Sequence, residues 1–329
     1  MSSLERFLGG GRVLDGFTTS VATPAQEPAP EPADYGAGWP EQIRHLSATS
    51  IGMFRRCPEQ FRHRYILGEK ERPGEALVVG SAFHEGLEFN YRQKIESFED
   101  RPTAEVVEYL QDEAVPKVIE EAGGAEEIAW DASDYHKGVD VLRKDAERML
   151  VRYHTDVVPR IQPLALEEEF YLHDPSLIVP LLAYIDVRTG YEVELDTTST
   201  WMVDRIIDTK TGKQAATKLK PSWQLQATLY SAMTGLRVEY HSISRAATPR
   251  IVTALESADL VFEPHPTKAE NVVRTAATVA EMIAWLYQTK GPDEPWPTLG
   301  RFADFTMNFL PCTNCGWRSV CPAMAGEDV

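Results

Sequence analysis

The sequence predicts one α/β domain with a mixed β-sheet flanked by helices. Three observations predict it. Hydrophobic periodicity is helical up to about residue 157, becomes strand-like between Ala165 and Asp208, and then alternates again. The resulting order is helices, a β-meander, a helix, a pair of strands and a final helix. The 329 residues are 43% hydrophobic and 25% charged, a composition ample for a core and ordinary for a globular protein.

The elements follow in order. Residues 1–44 read as a flexible arm, because Thr23 to Pro40 is rich in Pro, Ala and Glu and lacks apolar surface to offset its ordering entropy. A single folded domain would then occupy 45–329. Ser47, Thr49 and Ser50 are N-cap candidates for a first helix carrying Ile51 and Phe54. Pro58 suits the first turn of a second helix, through Tyr65. Residues 79–95 place Phe83, Leu87 and Tyr91 on one helical stripe. Ala104–Ala122 and Ser133–Val157 read as two more amphipathic helices, together a helical insertion over about 100–158. Ala165–Leu172, Leu177–Val187, Tyr191–Leu195 and Trp201–Asp208 read as strands joined by polar turns. Pro221–Thr234 is a predicted helix, Val238–Arg245 and Ile251–Leu255 are strands, and Lys268–Thr289 is a long helix. Residues 305–329 form a terminal segment.

That segment holds three of the four cysteines, Cys312, Cys315 and Cys321, in the spacing C-x2-C-x5-C; Cys57 stands alone. Three thiols within ten residues suggest a metal or cluster site, with Cys57 available as the fourth ligand. Spacing does not separate zinc from [4Fe–4S], and buried unligated thiols or a disulfide are the plainer alternatives.

Charge narrows the function. With 33 Lys and Arg against 50 Asp and Glu, the net charge of −17 excludes a broad phosphate-binding surface. No run approaches the roughly 18 apolar residues of a membrane span, and no secretory signal is read at the start. Within this acidic chain the segment Ile206-Ile207-Asp208-Thr209-Lys210-Thr211-Gly212 stands out. Alternation on a strand puts Asp208 and Lys210 on one face at the end of an apolar run. A carboxylate that holds a divalent cation beside an ammonium that orients water suits phosphodiester hydrolysis; a simple same-face ion pair is the plainer alternative. Asp186 ends another apolar strand and would meet Asp208 if the strands pair in sequence order. Asp204 shares Asp208's strand face and competes for that role. His84 and Glu88 share a helical face.

Taken together, these residues resemble the PD-(D/E)XK nuclease superfamily, in particular its RecB-like exonuclease branch with an iron–sulfur staple, which includes helicase-linked recombination nucleases and CRISPR-adaptation exonucleases. Six pieces carry the resemblance in the family's order. They are Leu46–Ser50 running into Phe54–Phe61 with Cys57-Pro58, Gly80-x-x-x-His84, Asp186, Asp208-Thr209-Lys210-Thr211-Gly212, Gln226-x-x-x-Tyr230, and the terminal cysteine trio. The interval from Asp186 to Asp208 is longer than usual for the family.

The resemblance implies a restriction-endonuclease-like core. It implies Mg²⁺ or Mn²⁺ held by His84, Asp186, Asp208 and the Thr209 carbonyl, with Lys210 activating water and Gln226 and Tyr230 bracing the site. It also implies a [4Fe–4S] cluster on Cys57, Cys312, Cys315 and Cys321. The expected partner is DNA, as single strands or ends, in recombination, repair or phage replication. The absence of a G-x-x-x-x-G-K-[ST] motif suggests that any helicase or integration partner is another chain. The expected location is the cytoplasm of a bacterial or phage-infected cell. Arg55, Arg56, Arg62, His63 and Arg64, and Lys210, Lys213, Lys218 and Lys220 with Trp223 to stack on a base, are the expected DNA contacts.

Overall fold

The computed structural model describes residues 36, 38–195, 198–298, 315–317 and 320–321. The structural part of the arm, residues 1–35 and 37, and Cys312 lie outside them.

Helix α1 (Ala48–Arg56) starts where Ser47 caps it: Ser50 N–H donates to Ser47 Oγ at 3.2 Å and Ser47 N–H to Ser50 Oγ at 2.8 Å. It ends at Cys57, and Pro58 opens α2 (Pro58–Phe61), which continues as a widened turn over Arg62–Ile66. Helix α3 (Glu75–Ser97) begins one turn earlier than the periodicity predicts and buries Phe83, Leu87 and Tyr91 as expected. The predicted helix over Ala104–Ala122 is interrupted. It forms α4 (Thr103–Tyr109) and α5 (Val115–Glu121) around a widened turn at Leu110–Ala114. Pro116 explains the break, since it has no N–H for the turn behind it and its ring crowds the carbonyl there. Helix α6 (Tyr135–Asp156) follows its Asp134 cap.

The sheet comprises β1 (Pro163–Leu172), β2 (Leu181–Leu195), β3 (Thr198–Gly212), β4 (Arg237–Ser244), β5 (Ile251–Val252) and β6 (Val261–Phe262). Its order is β1-β2-β3-β4-β5, with β6 also paired to β4. Strands β1, β2 and β3 form an antiparallel meander; β3 and β4 are parallel, linked by α7 (Pro221–Thr234), so the sheet is mixed as predicted. Helix α8 (Pro266–Lys290) closes the described fold.

Two strand predictions are corrected. Leu177–Val187 and Tyr191–Leu195 are not separate strands, because the chain does not turn at Thr189-Gly190. The register shifts there instead, from Thr189↔Arg205 to Gly190↔Val203, leaving Asp204 as the extra residue of a bulge. Glycine is needed at 190 for close approach, since a Cβ would lie 2.0 Å from the Met202 carbonyl oxygen. The long Asp186–Asp208 interval is therefore an extended hairpin, reaching beyond β1 and β4. The predicted strand at Ile251–Leu255 stops at Val252, where Thr253 N–H and Oγ1 turn to the Glu256 carboxylate at 2.8 and 2.5 Å.

Ile206 and Ile207 are consecutive and so point to opposite faces. Ile206 joins the core under α1, α7 and α8; Ile207, with Val187 and Ile243, joins the core under α3 to α6. The helices at about 100–158 thus share a core with the catalytic strand. The chain beyond α8 is tied to α2 by polar contacts. Glu59 is 2% exposed, takes a bidentate Arg62 at 2.6 and 2.9 Å, and accepts Trp296 N–H at 2.6 Å. Arg62 Nη1 also donates to the Pro292 carbonyl at 2.7 Å, and Trp317 stacks on His63.

Candidate active site

The β2–β3 register pairs Val187 with Ile207, which sets Asp186 opposite Asp208 one step further along. Helix α3 crosses above them. Gly80 permits its approach, for a Cβ there would lie 2.9 Å from Thr211 Oγ1. One turn on, His84 Nε2 lies 2.8 Å from the Thr209 carbonyl oxygen, and Nδ1 lies 3.6 Å from Asp186 Oδ2. With Nε2–H donating to the carbonyl, Nδ1 turns its lone pair to a carboxylate. Two acceptors facing each other invite a proton or a metal ion. Gly-x-x-x-His therefore works as a unit, the glycine for proximity and the histidine for donors.

Asp208 is fully buried, and Lys210 Nζ is 2.8 Å from its Oδ1. Among the described residues Asp208 has no donor other than this ammonium. Burial pushes the Asp208 carboxyl well above the usual carboxylate range; Lys210 opposes this and Asp186 adds to it. Burial works against the Lys210 charge too, but Asp208 and Asp186 outweigh it and raise its pKa, so it stays an ammonium. Beneath it, the Tyr240 ring lies 5.8 Å from Nζ, and the Tyr240 hydroxyl donates to the Trp223 carbonyl at 2.9 Å. On α7, Gln226 Nε2 donates to Tyr230 Oη at 2.6 Å, which makes the predicted pair a brace on this side of the site.

A buried carboxylate whose one donor among the described residues is Lys210, a second carboxylate, an imidazole nitrogen and a carbonyl oxygen form an oxygen-rich donor set suited to Mg²⁺ or Mn²⁺. Among the described residues no three His, Cys, Asp or Glu side chains stand close enough to hold a metal as they are. The set here reaches its size through the Thr209 carbonyl and through Asp208, which Lys210 holds.

Two residues escape the sequence reading. Glu167 falls opposite Asp186, between the pairs Leu166↔Val187 and Glu168↔Ile185, at φ 48°. Glu167 is exposed to solvent, yet partial desolvation beside the sheet, then Asp186 and Glu88, push its carboxyl up to about 7. One member of the run Glu167-Glu168-Glu169 had to face the site, but a left-handed residue inside a strand leaves no sequence signal. Tyr240 reads only as a strand aromatic.

Other expectations are corrected. Arg62 and His63 do not face DNA: both are buried, Arg62 on Glu59 and His63 Nδ1 at 2.6 Å from Glu69. Trp223 is engaged within the fold, its ring stacked on Tyr240 at 5.3 Å with Lys220 Nζ 4.8 Å from it. Lys213 pairs with Asp131 at 3.1 Å, while Arg55, Arg56, Arg64 and Lys218 are exposed. Asp204 is no rival to Asp186, since the bulge turns it to Arg205 at 3.1 Å. Cys57 is buried, and Cys315 and Cys321 are half-buried. No helix of the described residues is long and apolar enough to cross a membrane.

Among solved structures, a "Putative exonuclease" from Eubacterium rectale is similar at 12% identity, covering 77% of this chain and 84% of that one, with a TM-score of 0.45. The protein SSO0001 is similar at 11% identity, covering 86% and 88%, with a TM-score of 0.34. No curated protein matches. The family profile of the PD-(D/E)XK nuclease superfamily matches residues 45–322, so the chain, with its D-T-K strand, opposed aspartates and helix-borne histidine, belongs to that superfamily.

Proposed function

We propose that the protein is a metal-dependent DNA exonuclease of the RecB-like branch, hydrolysing phosphodiesters in single strands or at DNA ends. The observation that carries the reading is the meeting of His84, Asp186 and the Thr209 carbonyl with the buried Asp208 carboxylate, whose one donor among the described residues is Lys210. Those four groups would hold Mg²⁺ or Mn²⁺. When bound, the ion polarises the phosphoryl oxygen and lowers the pKa of its water. Lys210, kept charged by Asp208 and Asp186, orients the attacking water and stabilises charge on the phosphate. Tyr240 limits where Lys210 can swing, and Gln226 with Tyr230 walls the site on the α7 side.

Cys57, Cys312, Cys315 and Cys321 would hold a [4Fe–4S] cluster. What supports it is positional: Trp317 stacks on His63 and Gly316 N–H donates to Glu71 Oε1 at 2.7 Å, contacts between the segment carrying Cys315 and the chain that follows Cys57. DNA repair or recombination in the cytoplasm, beside a helicase or integration protein, is the setting this reading implies. End-labelled single- and double-stranded DNA, incubated anaerobically with Mg²⁺, Mn²⁺ or EDTA, tests it. Degradation that needs the metal and stops with Lys210→Ala supports it; equal degradation by Lys210→Ala, or none by either protein, rejects it. A brown preparation with thiolate-to-iron absorption supports the cluster; a colourless one with bound zinc rejects it.

A further inference from the structure

We infer that Tyr153, on α6, is a positioning residue that keys α3 to the catalytic strand and so aims His84 and the Thr209 carbonyl at one point. The inference rests on the metal-site reading above. Tyr153 is fully buried and touches both halves of that pair. Its ring packs edge-on against Phe83, the residue before His84, at 5.7 Å. Its hydroxyl lies 2.5 Å from His241 Nδ1 and within reach of the Thr209 side chain. His241 is the β4 residue in register with Thr209, so Tyr153 meets the catalytic strand and its neighbour at the same level. Thr209 and His241 are themselves each 5% exposed, which leaves them little access to water as a substitute partner.

The consequence is geometric. The His84 Nε2 to Thr209 O distance of 2.8 Å depends on how α3 sits over β3. No backbone hydrogen bond joins a helix to a strand, so that spacing is set by side chains. Tyr153 supplies a rigid ring on the helix side and a directional hydroxyl on the strand side. Groups behind metal ligands commonly tune affinity in this way. The helices of about 100–158 are on this view part of the catalytic machinery's support, through one phenol.

The test uses the full chain. Mn²⁺ binding is measured by calorimetry on wild type, Tyr153→Phe and Thr103→Val. Thr103 Oγ1 bonds His154, the next residue of α6, at 3.0 Å, so its loss loosens the same helix away from the site. Tyr153→Phe keeps the ring and removes the hydroxyl. Its Mn²⁺ affinity should fall about tenfold or more, and kcat should fall while KM for DNA stays within about twofold. Thr103→Val should lower Tm and leave Mn²⁺ affinity unchanged. Unchanged affinity in Tyr153→Phe, or an equal loss in Thr103→Val, overturns the inference alone. A wild-type protein that binds no Mn²⁺ overturns the nuclease reading as well. If Tyr153→Phe does not fold, His241→Leu against His241→Asn makes the same comparison, with Asn keeping a polar group near the Nδ1 position. Weaker Mn²⁺ binding by the Leu variant only is then the supporting result, and equal binding the opposing one.

Discussion

Strand β3 carries two charge clusters separated by a few residues, and they are built on opposite terms. At the bulge, Asp204 and Arg205 meet Arg237 and Glu239 of β4. Arg205 reaches Asp204 at 3.1 Å, and Arg237 reaches Glu239 at 2.9 Å and Asp204 at 3.8 Å. Two acids face two guanidiniums, and the cluster is neutral by itself. Further along, Asp208 and Asp186, with Glu167 beyond them, face one ammonium and one imidazole. That cluster holds an excess of negative charge in a buried place. The first arrangement is what a structural network needs; the second lacks a cation. Counting charge against partners therefore separates a brace from a reaction centre on one strand, where residue types alone do not.

The largest expected effect breaks the second cluster. Lys210→Ala and Asp208→Asn should each lower the rate by more than about a thousandfold, in line with losses on removing groups that act in the transition state. The same Asp208→Asn should raise urea stability in EDTA, because it removes a buried charge in excess. A fall in stability would place Asp208 among the structural pairs. Next in size is Glu239→Gln, which leaves Asp204 as the one acid facing two half-buried guanidiniums in the first cluster. Losing the charge-assisted bonds of one carboxylate costs roughly 1.5–3 kcal/mol, so urea unfolding should show a loss of that order while activity per folded molecule is kept. If activity is lost with the network intact, the two clusters are not independent. Third, Mn²⁺ at a hundred times its Kd should add about 2.7 kcal/mol to wild type and to Glu239→Gln, and nothing to Asp208→Asn. Thermal unfolding with and without the ion reads this directly.

How much of this was legible in the sequence depends on the range of each contact. The helix bounds follow from local signals, as at Ser47 and Pro58, and were read within a few residues. Asp208, Lys210 and His84 announce themselves because period-two and i, i+4 spacing are local. The meeting of Asp186 with Asp208 needed only sequential strand pairing. By contrast, the bulge at Asp204 turns on a register shift between two strands, and Gly190 looked like a turn for the same reason. Arg62 and His63 looked exposed because their partners are elsewhere: Glu59 and Glu69 nearby, but Pro292 and Trp317 over 200 residues on. Glu167 needed a backbone conformation that no pattern encodes. What was missed is what depends on distant strands and on close approach.

The smallest expected effect is a near-cancellation in the acid range, and it again sets one buried group against the other cluster. His241 is buried and neutral. Burial, helped by Arg205, lowers its pKa to about 4 from an ordinary value near 6.5. As pH falls from 6.5 toward 4, the unfolded chain takes up this proton first, so His241 costs stability, on the order of 3 kcal/mol by pH 4. Asp208 has the opposite sign. Its folded pKa lies above the unfolded value of 3.8, so the folded protein takes up that proton first, and acid stabilises it. Glu167, though its carboxyl is raised to about 7, is exposed, so screening by solvent leaves it only a small contribution in the same direction. Metal-free wild type should therefore change by less than about 1.4 kcal/mol over this window, the equivalent of one pKa unit. Asp208→Asn removes most of the compensation and should expose the His241 slope, with stability falling steadily below pH 6.5. Urea midpoints at pH 4.5, 5.5 and 6.5 in EDTA decide it: parallel pH profiles for the two proteins would mean that Asp208 ionises in the fold as it does in water, and that the second cluster is not starved of positive charge after all.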